Sequence, residues 1–114
     1  MKHPEEQLQR AVADYLSLMA PMHGFFWCHV PNGGSRTKIE GAAFKAMGVK
    51  PGVADILIIK AGRAYWIELK APKGRQSESQ RAFEVAMMLQ KCPYVIANSL
   101  DAVIGTVKGW GITA

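Results

Sequence analysis

Apolar residues near the start of the chain recur at the spacing of one face of a helix. They are Leu8, Ala11, Val12, Tyr15, Leu16 and Met19. This spacing predicts an amphipathic helix over residues 5–20 that packs the apolar face against a core. Pro21 and Gly24 follow directly and are expected to end the helix. The aromatic-rich run FFWCHV at 25–30 is a predicted strand, which the turn-forming sequence PNGGS at 31–35 interrupts.

Two apolar runs in the middle of the chain have the form of a β-hairpin. They lie at 55–59 and 64–70, and the tetrapeptide KAGR at 60–63 separates them. If Ala61-Gly62 form a two-residue turn, the first and last residues of the tetrapeptide face each other. A longer loop would shift this register, so the pairing of the strands depends on the turn.

Helix-ending and helix-capping signals predict the remaining elements. They are a helix over 40–47 closed by Gly48, a helix from Ser77 to about Lys91 opened by a capping box of Ser77 and Gln80, a strand at 94–97, and a last helix capped by Ser99. Because a helix connects the strands at 64–70 and 94–97, these strands are expected to be parallel, whereas the hairpin is antiparallel. The chain is therefore predicted to be an α/β protein, with a mixed sheet flanked by helices.

Length and composition limit the possible classes of protein. A chain of 114 residues is expected to form one domain, over residues 1–114. No apolar stretch is long enough to span a bilayer and the first residues are polar, so we expect no membrane partner and a cytoplasmic location, in a bacterial or phage-infected cell. Cys28 and Cys92 lack the spacing of a zinc site and are predicted to be buried thiols.

Positive charge is concentrated in the middle of the chain. The sequence has 14 Lys and Arg against 9 Asp and Glu, a formal net charge of +5. Ten of the 14 basic residues lie between residues 36 and 81, together with only four acids. This distribution permits a polyanionic partner but does not require one.

The predicted hairpin places acids where a strand should be apolar. With the two-residue turn, Asp55 lies opposite Glu68, and Lys70 shares the face of Glu68. Two like charges directly opposite each other destabilise a strand pair and raise the pKa of one acid. A divalent cation with a preference for oxygen ligands, such as Mg²⁺ or Mn²⁺, would offset this cost. From the residues alone, a structural salt bridge between Asp55 and Lys70 explains the pattern equally well.

Five sequence blocks add to this pattern. They are Glu5-x-x-Leu8-Gln9, Pro31-Asn32-Gly33-Gly34-x-Arg36, Gly48-Val49-Lys50-Pro51-Gly52-Val53-Ala54-Asp55, Glu68-Leu69-Lys70-Ala71-Pro72-Lys73-Gly74-Arg75 and Ser77-x-x-Gln80. Taken in this order, the blocks resemble the VRR-NUC branch of the PD-(D/E)xK nucleases, small nucleases of the virus-type replication and repair class. One difference is Ala54, which stands where that family usually has proline. Since proline there stiffens the approach to the strand, we expect a looser approach and an unchanged Asp55.

The resemblance implies a restriction-endonuclease-like core and a function. The implied function is a structure-selective DNA endonuclease dependent on Mg²⁺ or Mn²⁺, acting on branched DNA such as four-way junctions. Standalone members of the family look like homodimers, so a homodimer is expected. The alternatives are a catalytically silent DNA-binding module of the same fold, or a domain without nucleic-acid function whose charges are structural.

The resemblance also assigns roles to individual residues. The metal ligands would be Asp55, Glu68, the backbone carbonyl of Leu69 and, through water or a second metal, Glu5. Lys70 would orient the attacking water or stabilise charge on the phosphate, beside the catalytic Asp55 and Glu68. The DNA-binding residues would be Asn32, Arg36, Lys73 and Arg75.

Two of these assignments meet a competing explanation in the sequence. Glu5 and Glu6 are adjacent, but Glu5 lies at the margin of the apolar helix face and Glu6 points nearly opposite, so helical phase favours Glu5. Gln80 is either a catalytic-site residue, as the family's S-x-x-Q motif implies, or the second member of the capping box with Ser77. We expect one amide not to fill both roles.

Overall fold

The computed structural model of the protein describes residues 4–31 and 37–113. Its elements are α1 (Pro4–His23), β1 (Phe26–His29), α2 (Lys38–Ala46), β2 (Ile56–Lys60), β3 (Arg63–Leu69), α3 (Glu78–Leu89), β4 (Tyr94–Ala97) and α4 (Leu100–Gly109). This is the predicted order of helices and strands. Asn32 and Arg36 lie outside the described residues.

The strands of the described residues form one mixed sheet in the order β1-β2-β3-β4. β2 pairs antiparallel with both β1 and β3, and β3 pairs parallel with β4. Helix α3 makes the crossover that a parallel pair requires. The predicted α/β fold class with a mixed sheet is therefore confirmed.

The turn between β2 and β3 sets the register that the sequence predicts. Lys60 pairs with Arg63 and Ile56 pairs with Ile67. Ala61 (φ 50°) and Gly62 (φ 79°) are both left-handed, as a two-residue hairpin turn of type I′ requires. The same register, continued by one position, sets residues 55 and 68 opposite each other at the open end of the hairpin.

The two faces of the sheet differ in how they are covered. One face packs against α1 and α4, and the fully buried residues there include Val12, Leu16, Ile56, Ile58, Ile67, Val103 and Val107. The apolar face predicted for α1 is therefore confirmed. On the other face Trp66 meets Phe83 of α3 edge-on, with ring centroids 5.0 Å apart. This second face carries Glu68 and Lys70, so the candidate site lies under α3.

The sequence predicts that Pro21 and Gly24 both act to end α1, and the helix runs past Pro21 to His23 and ends directly before Gly24. Proline has no N–H to donate and its ring crowds the carbonyl four residues before it, and the helix continues for only two residues after Pro21. The helix instead ends where the N–H groups of Gly24 and Phe25 both donate to the carbonyl of Ala20, at 2.9 and 3.2 Å. Gly24 then leads the chain out with φ +68°.

Two other sequence expectations concern the cysteines and the membrane. Cys28 and Cys92 are free thiols, as predicted, but both are half-buried where buried thiols were expected. Both lie at the margin of the sheet, where partial exposure of a small side chain costs little. Within residues 4–31 and 37–113, no helix has the length and apolarity needed to cross a bilayer.

Candidate active site

Asp55 lies at the open end of the hairpin, one residue before β2, and both its side chain and its backbone are hydrogen-bonded to neighbouring segments. Its carboxylate Oδ2 accepts a hydrogen bond from the Leu69 backbone N–H at 2.6 Å. Its backbone carbonyl accepts from the Val30 N–H at 2.7 Å and bonds to His29 Nδ1 at 2.8 Å. Because these contacts tie Asp55 to both β1 and β3, its carboxylate is fixed beside the Leu69 peptide.

Glu68 is the buried acid of the site, with only 2% of its surface exposed. Its Oε2 accepts from the Gln80 side-chain amide at 3.1 Å. Its Oε1 is also buried, and among the described residues it has no hydrogen-bond donor. Buried polar atoms of native proteins nearly always have a partner, so an orphaned carboxylate oxygen needs an explanation.

The electrostatics of Glu68 are dominated by burial and by Asp55. Burial raises the pKa of Glu68 to about 8, and the neighbouring carboxylate of Asp55 acts in the same direction. Lys70 opposes this rise in pKa but does not overcome it. Ionisation of both carboxyl groups at once is therefore unfavourable near neutral pH, as expected for two acids that share one site.

Lys70 pairs with Glu68 and not with Asp55. Its Nζ lies 4.0 Å from Glu68 Oε2, and its side chain is 13% exposed. The structural salt bridge between Asp55 and Lys70 that the sequence allows is absent from the described residues. Since the Lys70 ammonium leaves the pKa of Glu68 raised, one lysine does not neutralise the carboxylate pair.

The carboxylate pair fits a divalent cation. It combines two adjacent carboxyl groups with a buried carboxylate oxygen that has no partner among the described residues, and a bound cation would offset the cost of ionising both groups. Carboxylate oxygens are the ligands that Mg²⁺ and Mn²⁺ prefer. The fit rests on two carboxylates, because no group of three His, Cys, Asp or Glu side chains suited to a metal occurs among the described residues.

The structure separates Glu5 from Glu6 as helical phase predicts. Glu5 Oε1 accepts from the Ala71 backbone N–H at 3.4 Å, so it lies next to the residue that follows Lys70. Glu6 instead pairs with Arg10 on the exposed side of α1, also at 3.4 Å. The charge of Glu5 contributes to the raised pKa of Glu68. Glu5 is thus an exposed acid at the rim of the site.

Gln80 fills both of the roles that the sequence analysis treated as exclusive. Its Oε1 accepts from the Ser77 backbone N–H at 2.9 Å, while Ser77 Oγ accepts from the Gln80 N–H at 3.2 Å. Its Nε2 at the same time donates to Glu68 Oε2. The expectation of a single role is therefore wrong, because the carbonyl and amino ends of one amide serve different partners.

The segment between β3 and α3, residues 70–77, carries two of the predicted DNA-binding residues. Lys73 and Arg75 are both exposed on it. Its end is anchored by Gln76, whose Nε2 donates to Glu84 Oε1 at 3.0 Å and to the Tyr94 hydroxyl at 3.1 Å. Burial raises the pKa of Tyr94 to about 12, so this hydroxyl stays protonated.

Sequence reasoning missed His29 and Gln76, which hold parts of the site in place. His29 bonds to the Asp55 carbonyl and Gln76 anchors the basic segment. Neither residue belongs to a local motif, since each contact joins positions far apart in the sequence. Asn32 and Arg36, predicted to bind DNA, are outside the described residues.

Comparison with known proteins supports the fold. No protein-family model matches the sequence, and no curated protein matches it either. A solved structure named "VRR_NUC domain protein" is similar to this chain with a TM-score of 0.76 and 22% sequence identity, covering 96% of this chain and 89% of its own. At this identity the likeness establishes the fold alone. The chain therefore has the fold of a VRR-NUC domain protein, as the five sequence blocks predicted.

Proposed function

We propose that this protein is a metal-dependent endonuclease that hydrolyses phosphodiester bonds in DNA. The observation that carries the proposal is the pair of half-buried Asp55 and buried Glu68, with an orphaned Glu68 oxygen and Lys70 beside it. A purely structural pair would be expected to have every buried oxygen satisfied. The fold shared with a VRR-NUC domain protein supports the same class of enzyme.

The metal site in this proposal uses the atoms that already converge at the end of the hairpin. Asp55, Glu68 and the backbone carbonyl of Leu69 would hold Mg²⁺ or Mn²⁺, with Glu5 at the rim as an outer or water-mediated ligand. When bound, the cation would polarise the phosphate and lower the pKa of a water molecule. Glu68 must be ionised to act as a ligand, so proton release from the carboxylate pair accompanies binding.

The other residues of the site have roles that follow from their positions. Lys70 is partly exposed and lies 4.0 Å from Glu68, so its ammonium can meet the phosphate or orient the attacking water while it remains at the carboxylate pair. Gln80 holds Glu68 Oε2 and so fixes the orientation of the carboxylate. Both side chains are held in position before the substrate arrives, so neither has to reorganise during the reaction.

DNA is the proposed substrate because the surface next to the pair is basic. Lys73 and Arg75 are exposed on the segment that follows Lys70, where they would contact phosphates without reading the bases. Asn32 and Arg36 are proposed to act similarly. A small basic surface, with no base-reading element in residues 4–31 and 37–113, favours recognition of DNA shape, and we propose branched DNA such as a four-way junction as the substrate.

A homodimer is part of this proposal, since symmetric nicks in a junction require two active sites. Helix α3 presents three exposed apolar residues on one side, with Val85 48%, Met88 65% and Leu89 76% exposed. Trp110, at the end of α4, is the other apolar residue considered for the interface, but its ring already packs against Tyr65 with centroids 5.2 Å apart. The side of α3 that carries Met88 is therefore the proposed interface.

A cleavage assay on a panel of flaps, forks, four-way junctions and linear duplex tests the proposal. Cleavage is expected with Mg²⁺ or Mn²⁺ and is expected to stop with EDTA. Binding without cleavage of any substrate, at several concentrations of both metals, would instead indicate a catalytically silent DNA-binding module. Full cleavage in EDTA would refute the metal site.

A further inference from the structure

Gly52 lies against the first turn of α3 with no room for a side chain. A Cβ atom added to it would overlap the carbonyl group of Ser79 and lie 2.6 Å from the backbone nitrogen of Gln80. Gly52 also has φ +79°, a left-handed conformation that favours glycine. The segment before β2 and the start of α3 therefore touch backbone to backbone at this point.

Helix α3 depends on a few specific contacts for its position. None of its residues is fully buried, so its apolar packing, in which Phe83 meets Trp66, is weaker than that of α1 and α4, which have buried residues. Its first turn carries Gln80, which reaches Glu68 through a single hydrogen bond of 3.1 Å. A small outward movement of this turn would lengthen that bond beyond the hydrogen-bonding range.

We infer that Gly52 is a positioning residue, which holds the first turn of α3 where Gln80 orients Glu68. The contact has a second consequence, because Gly52 is only three residues before Asp55. One backbone contact thus fixes the distance between the segment that carries Asp55 and helix α3, whose Gln80 donates to Glu68. This inference deepens the proposed function, since it concerns the same carboxylate pair, but its first readout needs neither metal nor DNA.

The test compares Gly52→Ala with Gly48→Ala as a matched control. Gly48 is in the same segment and also left-handed, with φ +94°, but among the described residues an added Cβ would meet no atom within 4 Å. The backbone strain of alanine is therefore similar in both variants, and only Gly52→Ala adds the collision. The Gln80 side-chain amide is followed by ¹⁵N NMR and assigned by its loss in Gln80→Ala.

The Gln80 amide signal is expected to move toward the position of exposed glutamines in Gly52→Ala and to stay in place in Gly48→Ala. An unmoved signal in folded Gly52→Ala protein, or an equal movement in both variants, would overturn the inference. If Gly52→Ala does not fold, the same comparison is made in the Glu68→Gln background, which keeps an acceptor for Gln80 and is expected to be more stable.

Mn²⁺ affinity, measured by calorimetry, gives the second readout. Loss of an outer-shell partner commonly weakens metal binding about tenfold or more, and this loss is expected for Gly52→Ala and for Gln80→Ala. The double variant should bind no more weakly than either single variant, because both act through one hydrogen bond. If the losses of Mn²⁺ affinity in the two single variants multiply in the double variant, the inference is overturned. If the wild-type protein binds no Mn²⁺, the proposed metal site fails, and the NMR result alone decides the role of Gly52.

Discussion

Replacing Glu68 by glutamine should stabilise the metal-free protein at alkaline pH. The carboxyl group is 2% exposed, and burial with Asp55 raises its pKa from 4.5 to about 8. Glutamine has nearly the same shape, keeps an oxygen that can accept from Gln80, and gains an N–H that can donate to Asp55. The substitution therefore removes the disfavoured charge without opening a cavity.

The sign of the pH dependence follows from the raised pKa. Below pH 4.5 Glu68 is protonated in both the folded and the unfolded chain, so it costs no stability. Between pH 4.5 and about 8 the unfolded chain has released the proton while the folded protein retains it, and the free energy of unfolding falls as the pH rises. Above pH 8 the folded protein bears the full cost of the ionised pair.

The size of the effect is limited by the same two pKa values. A difference between 4.5 and about 8 corresponds to at most about 5 kcal/mol, and relaxation of the coupled pair with Asp55 reduces this to about 2–4 kcal/mol. For a domain of this size each kcal/mol moves the melting temperature by about 3–6 °C. Glu68→Gln should thus melt at least about 6 °C above the wild type at pH 9 and close to it at pH 5.

Urea and thermal denaturation in EDTA, from pH 5 to pH 9, measure this difference. Glu6→Gln is the control, since it removes an acid that is exposed on α1 and should leave the pH profile unchanged. Equal stability of Glu68→Gln and wild type at pH 9, or a variant that is less stable there, would show that the carboxylate pair is not strained. The proposed need for a cation would then lose its physical basis.

Three further predictions concern activity and assembly. Asp55→Asn should abolish cleavage and leave DNA binding within about twofold in a gel-shift assay, because it removes a metal ligand and no phosphate contact; normal cleavage would make the hairpin acids structural. Glu5→Gln should reduce the cleavage rate more than Glu6→Gln, and the opposite order would mean that the Glu5 contact with Ala71 has no catalytic use. Light scattering at micromolar concentration should give a mass of about 25 kDa, twice the 12.5 kDa chain, and Met88→Lys should shift this mass toward the monomer. A wild-type monomer that still makes symmetric nicks in a junction would refute the dimer.

Local sequence determined the elements and the pairing of the two acids. A type I′ turn at Ala61-Gly62 leaves only one register for the hairpin, and this register alone sets residue 55 opposite residue 68. Helix caps and the apolar face of α1 follow from neighbours three or four positions away. These features are predictable because the forces that set them act within a few residues of the chain.

Tertiary structure decided what surrounds the two acids. Whether Gln80 reaches Glu68 while capping its helix depends on where α3 lies over the sheet. That position is set by contacts such as Gly52 against Ser79. These contacts join segments that are far apart in the sequence, so no local motif predicts them. The raised pKa of Glu68 has the same origin, because burial is a property of the packed elements and of no single strand.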